Sequence, residues 1–102
     1  MNTHSVIYSE RARKDLYLIM YWYNTVKPDL GKEFGEKIEE TIKILTKHPK
    51  IAATLYLNYR KISLKRFPHS IIYVINEEKQ EVQIIAVQHH KQHPEAWKTE
   101  GS

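Results

Sequence analysis

The sequence predicts one α+β domain in which a helical hairpin covers one face of an antiparallel sheet, in the order β-α-α-β-β-β. Three observations carry that expectation. Apolar residues recur twice at helical spacing in the first half, strand-like runs fill the second half, and short polar or proline-marked segments separate them. With 102 residues, 41% of them hydrophobic and 27% charged, the chain can build one core but not two. Residues 1–102 therefore read as one domain, with residues 98–102 as a loose tail.

The first element is the short β-prone run Val6-Ile7-Tyr8. Ser9 follows as a helix N-cap ahead of Glu10 and Arg11, because its hydroxyl can accept a free N–H of the first turn. Ala12, Leu16, Ile19, Met20, Tyr23 and Val26 then form a core-facing stripe. Tyr17, Leu18, Tyr21 and Trp22 widen the apolar surface beyond one stripe, and such a helix is either deeply buried or covered by a partner.

Lys27-Pro28-Asp29 interrupts the pattern, with Pro28 suited to the first turn of a second helix. In that helix Leu30, Phe34, Ile38, Ile42 and Leu45 face the core, and Glu33 with Lys37 and Glu39 with Lys43 are spaced as ion pairs. The spacing of Gly31 and Gly35 allows a close helix–helix approach. His48-Pro49 ends the helix, since proline removes a donor and restricts its predecessor. So short a turn between two helices implies an antiparallel hairpin.

Residues 50–58 read as a connector that Ile51, Leu55 and Leu57 can anchor to the core. Residues 59–67 alternate as a strand, with Ile62 and Leu64 towards the helices and Lys61, Ser63 and Lys65 towards the other face. The runs at residues 71–75 and 82–87 are apolar on both sides, as central strands are, and residues 76–81 are the polar loop between them. Tyr73 reads as core with its hydroxyl at the rim. Trp97, after Pro94, pins the tail to the body.

The net charge of +4 and pI near 9.3 suit an anionic partner without demanding one. Cysteine is absent, which excludes disulfides and thiolate chemistry. No leader-like or membrane-spanning run occurs, so the expected location is the cytoplasm, away from any membrane. No metal-ligand spacing or phosphate loop stands out, and no cofactor is expected.

Three groups of residues can carry function. Arg60, Lys61, Lys65 and Arg66 form a cation-rich strand that either grips a nucleic-acid backbone or protects a sheet surface from aggregation. His89, His90 and His93 lie at the end of the last strand, where an imidazole can act as general acid or base, or merely form a polar tail. Tyr17, Tyr21 and Trp22 are either core or a partner-binding surface of aromatic anchors.

Taken in order, the sequence resembles the RelE/ParE superfamily of toxins from type II toxin–antitoxin modules. The resemblance rests on His48-Pro49, the Arg-rich strand at residues 60–67, Ile71-Ile72-Tyr73, Ala86-Val87-Gln88-His89 and Pro94-Glu95-Ala96-Trp97. It implies the same α+β sandwich, a growth-inhibiting toxin, and a cognate antitoxin partner joined to it as a hetero-oligomer. On that resemblance Tyr17, Tyr21 and Trp22 are assigned to antitoxin contact. RelE-like members are ribosome-dependent mRNA endonucleases, whereas ParE-like members poison DNA gyrase without known catalytic residues. In the ribonuclease case Lys61, Lys65, His89 and His90 are the candidate catalytic set, acting on ribosome-bound mRNA. Ser70 stands where ribonuclease-type members carry an arginine, and Lys91, Gln92 and His93 stand where many relatives have one. Both departures favour the ParE-like arm, with gyrase as target. A non-toxic binding module of the same fold is the remaining reading.

Overall fold

The computed structural model describes residues 3–92. Its elements are β1 (Ser5–Tyr8), α1 (Glu10–Val26), α2 (Leu30–Lys47), β2 (Thr54–Tyr56), β3 (Tyr59–Ser63), β4 (His69–Asn76) and β5 (Glu81–His89). The strands form one five-stranded sheet in the order β1-β5-β4-β3-β2. The meander β2 to β5 is antiparallel, and β1 joins its far edge parallel to β5. The sheet is therefore mixed rather than purely antiparallel. A helical hairpin between β1 and the meander brings the chain back in the direction that makes β1 and β5 run together.

Both helices start and stop where local chemistry requires. Ser9 caps α1 by accepting from the Ala12 amide at 3.0 Å. The turn into α2 holds Asp29 at φ 67°, a left-handed position that Asp tolerates, so Pro28 lies just before the helix rather than within it. The helices approach closely at Gly31, whose amide donates to the Asn24 side chain at 2.8 Å. A Cβ at Gly31 would overlap the Met20 carbonyl oxygen and the Asn24 side chain. On the outer face of α2, Lys37 pairs with Glu40 at 3.3 Å and Glu33 reaches Arg66 at 3.4 Å, so Glu33 and Lys37 do not pair with each other.

The core lies between the hairpin and one sheet face. Phe34, Ile38 and Leu45 of α2 and Ala12 of α1 meet Ile71, Tyr73, Val82, Ile84 and Val87. Tyr73 is fully buried rather than rimmed, and its hydroxyl donates to the Pro49 carbonyl at 2.7 Å. Val26 closes the sequence stripe of α1 but stands exposed.

Three features depart from the expected pattern. The connector at residues 50–58 contains β2, a three-residue edge strand too short for a periodic signal, and its Ile51, Leu55 and Leu57 are exposed rather than anchored in the core. The strand expected over residues 59–67 ends at Ser63. Strict alternation cannot bury both Leu64 and Phe67, yet the core holds both, so the chain bends and Arg66 takes φ 72°. Finally, β4 and β5 pair with a register shift between Ile72 and Tyr73, where partners jump from Ala86 to Ile84 and leave Ile85 as an extra residue. Helix α1 holds that bulge. The Ser9 hydroxyl donates to the Ile85 carbonyl at 2.7 Å, and the Asp15 carboxylate accepts from the Val87 amide at 2.9 Å.

Candidate functional site

The bulge sorts the side chains of β4 and β5 onto two surfaces. His69, Ile71, Tyr73, Ile84 and Val87 face the helices, whereas Ser70, Ile72, Ala86 and Gln88 face away. Each surface carries one candidate site.

On the face away from the helices (the open face, although Ser70, Ile72, Ala86 and Gln88 are buried on it), a hydrogen-bonded row crosses three segments. Ser63 of β3 lies opposite Ser70 of β4 with their hydroxyls 3.2 Å apart, and Ser70 lies opposite Gln88 of β5. The Ser70 hydroxyl is 2.9 Å from Nε2 of His90, just beyond the end of β5. The His90 amide donates to the Pro68 carbonyl at 2.8 Å, which holds the backbone of this turn in place. Ser70 and Gln88 are buried, while Ser63 and His90 reach solvent. Lys61, opposite Ile72, sits two residues further along β3, about 7 Å from the serine row by strand geometry.

The four cations of the third-strand region do not converge. Arg60 lies opposite Tyr73 on the helix-facing side, and its guanidinium donates to the Ala52 carbonyl at 2.6 Å. Arg66 turns to Glu33 of α2. Lys65 is exposed in the β3–β4 connection, which ends its expected alignment with Lys61. Lys61 is thus the one member of Arg60, Lys61, Lys65 and Arg66 that rises from the open face of a strand. The physical reason is twofold: alternation turns Arg60 to the helix side, and the early end of β3 removes the two-residue period that would have aligned Lys65 with Lys61.

The histidines separate as well. His89 points to the helix side, where its ring lies 4.9 Å from His69, and its Nδ1 accepts the Lys91 amide at 2.9 Å. His90 points to the open face. Of the candidates Lys61, Lys65, His89 and His90, only Lys61 and His90 share that face. His93 and Trp97 lie outside the described residues.

The helix side carries an apolar cleft of about 490 Å³, lined by Leu18, Ile19, Trp22, Tyr23, Pro68, His69 and His89. His69 forms its inner wall in an aromatic cluster, 5.0 Å from Phe34 and 5.9 Å from Tyr23. Burial first, and the nearby His89 and His90 second, lower its pKa to about 4, so it is neutral at physiological pH. Its Nδ1 is buried without a partner among the described residues. At the rim of the cleft Trp22 is 58% exposed, and Tyr17 and Tyr21 on the same helix are 71% and 65% exposed. These aromatics form a surface of α1 and not part of the core.

Sequence reasoning passed over Ser63, Ser70 as a hydrogen-bonding group, Gln88 and His69. The signal for the serine row was present in the alternation of residues 59–63, but it required the register with β4 to become a site. Asp15 gave no signal at all, because its function depends on a bulge invisible in the sequence.

Chemically, the sheet face away from the helices offers the Ser63 hydroxyl, one exposed imidazole and one ammonium, whereas the cleft and α1 offer apolar docking area. Among the described residues no cluster of metal-ligating side chains occurs, and no helix is long and apolar enough to cross a membrane.

Solved structures with the same architecture share little sequence. The chain is similar to a protein of the chromosomal ParDE toxin–antitoxin system from P. aeruginosa, with 22% identity and TM-score 0.73 over 85% of this chain and 96% of that one. It is also similar to a chain of the intact E. coli RelBE toxin–antitoxin complex, with 20% identity and TM-score 0.68 over 87% and 99% of the two chains. The isolated E. coli RelE toxin aligns with 20% identity and TM-score 0.67 over 94% of each chain. At such identities these likenesses establish the fold. No curated protein sequence matches significantly. Family membership follows from the sequence profile of the "ParE toxin of type II toxin-antitoxin system, parDE", which matches residues 6–94. The chain belongs to the ParE toxin family of type II toxin–antitoxin systems.

Proposed function

We propose that this toxin acts in the cytoplasm by inhibiting DNA gyrase through surface contact, and that a cognate antitoxin neutralises it by covering the aromatic face of α1. One observation carries the reading of the target. The centre of the sheet face away from the helices is the neutral row Ser63, Ser70 and Gln88, of which Ser70 and Gln88 are buried, with Arg60 and Arg66 turned to other partners. Cleavage of RNA by attack of a ribose hydroxyl needs a base together with cations that stabilise the dianion developing at phosphorus. Here one imidazole and one ammonium stand on that face, and the imidazole is tied to Ser70. Inhibition by surface complementarity requires no such convergence.

The solved complexes support an antitoxin partner by analogy, since one is named as the intact E. coli RelBE toxin–antitoxin complex. The exposed Tyr17, Tyr21 and Trp22 beside an apolar cleft supply the kind of aromatic anchors that protein interfaces use.

The test joins a supercoiling assay, using purified toxin and gyrase, to mapping of mRNA 5′ ends after induction. The expected result is loss of supercoiling without discrete mRNA cuts, retained when Lys65 and His90 are replaced by alanine. Discrete cuts in translated messages that vanish in those variants, with gyrase unaffected, would replace this reading by the ribonuclease one. Induction that leaves growth unchanged would leave a binding module of the same fold.

A further inference from the structure

His69 weakens the fold at the place it occupies. It is 4% exposed, and its Nδ1 is sealed from water without a partner among the described residues. A phenylalanine could keep the ring contacts with Phe34 and Tyr23 and would leave no polar atom unpaired. A buried polar atom without a partner calls for an explanation outside packing, and such breaks of a local rule gather at functional sites.

The two histidines of the apolar cleft carry their protons alike. The Lys91 amide donates to Nδ1 of His89 at 2.9 Å, so that nitrogen holds a lone pair and the ring proton sits on Nε2. In the neutral His69 a sealed lone pair costs less than a sealed N–H, which again places the proton on Nε2. Both rings line the cleft, and among the described residues neither Nε2 has a hydrogen-bond partner. The cleft thus offers two ring donors among mainly apolar walls, and no described residue lining it carries a carboxylate, ammonium or guanidinium. Its fitting occupant is apolar with neutral acceptors beside it, since a carboxylate would shed its water there without a counter-charge. An apolar side chain flanked by main-chain carbonyls meets that description, and about 490 Å³ is room enough for a large one.

We propose that this cleft receives one large apolar side chain of the antitoxin, with His69 and His89 donating from Nε2 to main-chain carbonyls of the same antitoxin segment. The proposal rests on the reading of the α1 face as the antitoxin's. The antitoxin is favoured as occupant because Leu18 and Trp22, two walls of the cleft, belong to the same exposed stretch of α1 as Tyr17 and Tyr21. The unpartnered imidazoles give that apolar surface a point of polar recognition.

Two measurements test it. In the toxin–antitoxin complex, His69→Phe and His89→Phe each keep a ring and lose the donor, and each should weaken binding by about ten-fold, as one lost hydrogen bond does. His69→Phe should meanwhile leave the free toxin with a Tm at or above that of the parent, whereas a loss of packing alone would lower Tm and affinity together. The second measurement uses N-acetyl-phenylalaninamide as a probe of the free toxin, followed in ¹⁵N spectra of the imidazoles. The probe should shift Nε2 of both His69 and His89, and toluene, which has no acceptor, should shift them far less. Parent affinity for the antitoxin in both variants would overturn the proposal. So would probe shifts that fade as toxin concentration rises, which would make a second copy the occupant, or shifts seen only after Trp97→Ala, which would make it the chain's own C-terminal residues. If the probe binds and the antitoxin leaves both rings unshifted, the cleft stands as a ligand site and the antitoxin reading is the part that fails.

Discussion

His69 and Ser70 are neighbours in β4, and so are their partners His89 and Gln88 in β5, yet the two rows live in different solvents. The helix-side row packs His69 among Phe34, Tyr23 and His89, where burial strips it of charge. The open-side row ties Ser63, Ser70 and His90 together by hydrogen bonds at the edge of water. The single step from His89 to His90 thus moves an imidazole from the lining of an apolar cleft to the opposite side, against Ser70. A run of histidines in sequence is not a cluster in space when the backbone alternates.

That sorting depends on the bulge at Ile85, and the bulge depends on Asp15. The largest effect should therefore come from Asp15→Ala. It leaves the Val87 amide and the Arg11 guanidinium without the carboxylate that now lies 2.9 Å from each. Losing a buried acceptor shared by a charged donor costs about 3 kcal/mol. Urea denaturation should show that loss, and a Tm unchanged from the parent would mean that the sheet, not the helix, holds the bulge.

His69 provides the second test, and it separates the two rows by pH. The unfolded chain takes up a proton near pH 6.5, whereas the folded His69 stays neutral down to about 4. Since the unfolded state binds more protons in that window, stability falls as pH drops from 6.5 to 4, by up to ~1.4 kcal/mol per unit. Below the folded pKa the contribution levels off. His69→Phe should flatten this part of the profile while preserving the aromatic packing. An equal slope in the variant would assign the acid sensitivity to other groups.

Much of the helix-side surface was legible from the sequence, because burial imposes periodicity. The stripe from Ala12 to Tyr23, the stripe from Phe34 to Leu45 and the two central strands all follow from spacing. The open face was legible only in part. Alternation put Lys61 and Ser63 there, but aligning Ser63 with Ser70, and Ser70 with His90, takes a register that no local pattern encodes. Alternation turned Arg60 to the helix side, and Lys65 and Arg66 scattered because burying both Leu64 and Phe67 ended β3 early. The edge strand β2 escaped notice since three residues, alternating against nothing, leave no periodic trace.

A third test sharpens the cleft. Trp22 lines it while remaining mostly exposed, with its ring 5.0 Å from Tyr23. Trp22→Glu should leave the thermal midpoint nearly unchanged, since little area is released from burial. It should weaken the toxin–antitoxin complex by about 2 kcal/mol, the cost of losing an aromatic anchor. Calorimetric titration with the co-expressed antitoxin would measure this. Unfolding of the variant would return Trp22 to the core and remove the partner face.

The smallest effect belongs to the open row. Ser70 is almost completely buried, and its hydroxyl sits between Ser63 at 3.2 Å and Nε2 of His90 at 2.9 Å. In Ser70→Ala both outer groups lose their common partner, but both also reach solvent, so water replaces what is lost. The net cost should be about 1 kcal/mol, well below that of Asp15→Ala. The more telling readout is the His90 ring. Its Nε2 is held by Ser70 in the parent, and freeing it should speed ring motion and narrow the difference between its tautomers, visible in ¹⁵N spectra of the imidazole. His89, on the other surface with its Nδ1 engaged by the Lys91 amide, should keep its signals. If both rings respond alike, the two surfaces communicate through β5 and the separation of the rows is incomplete.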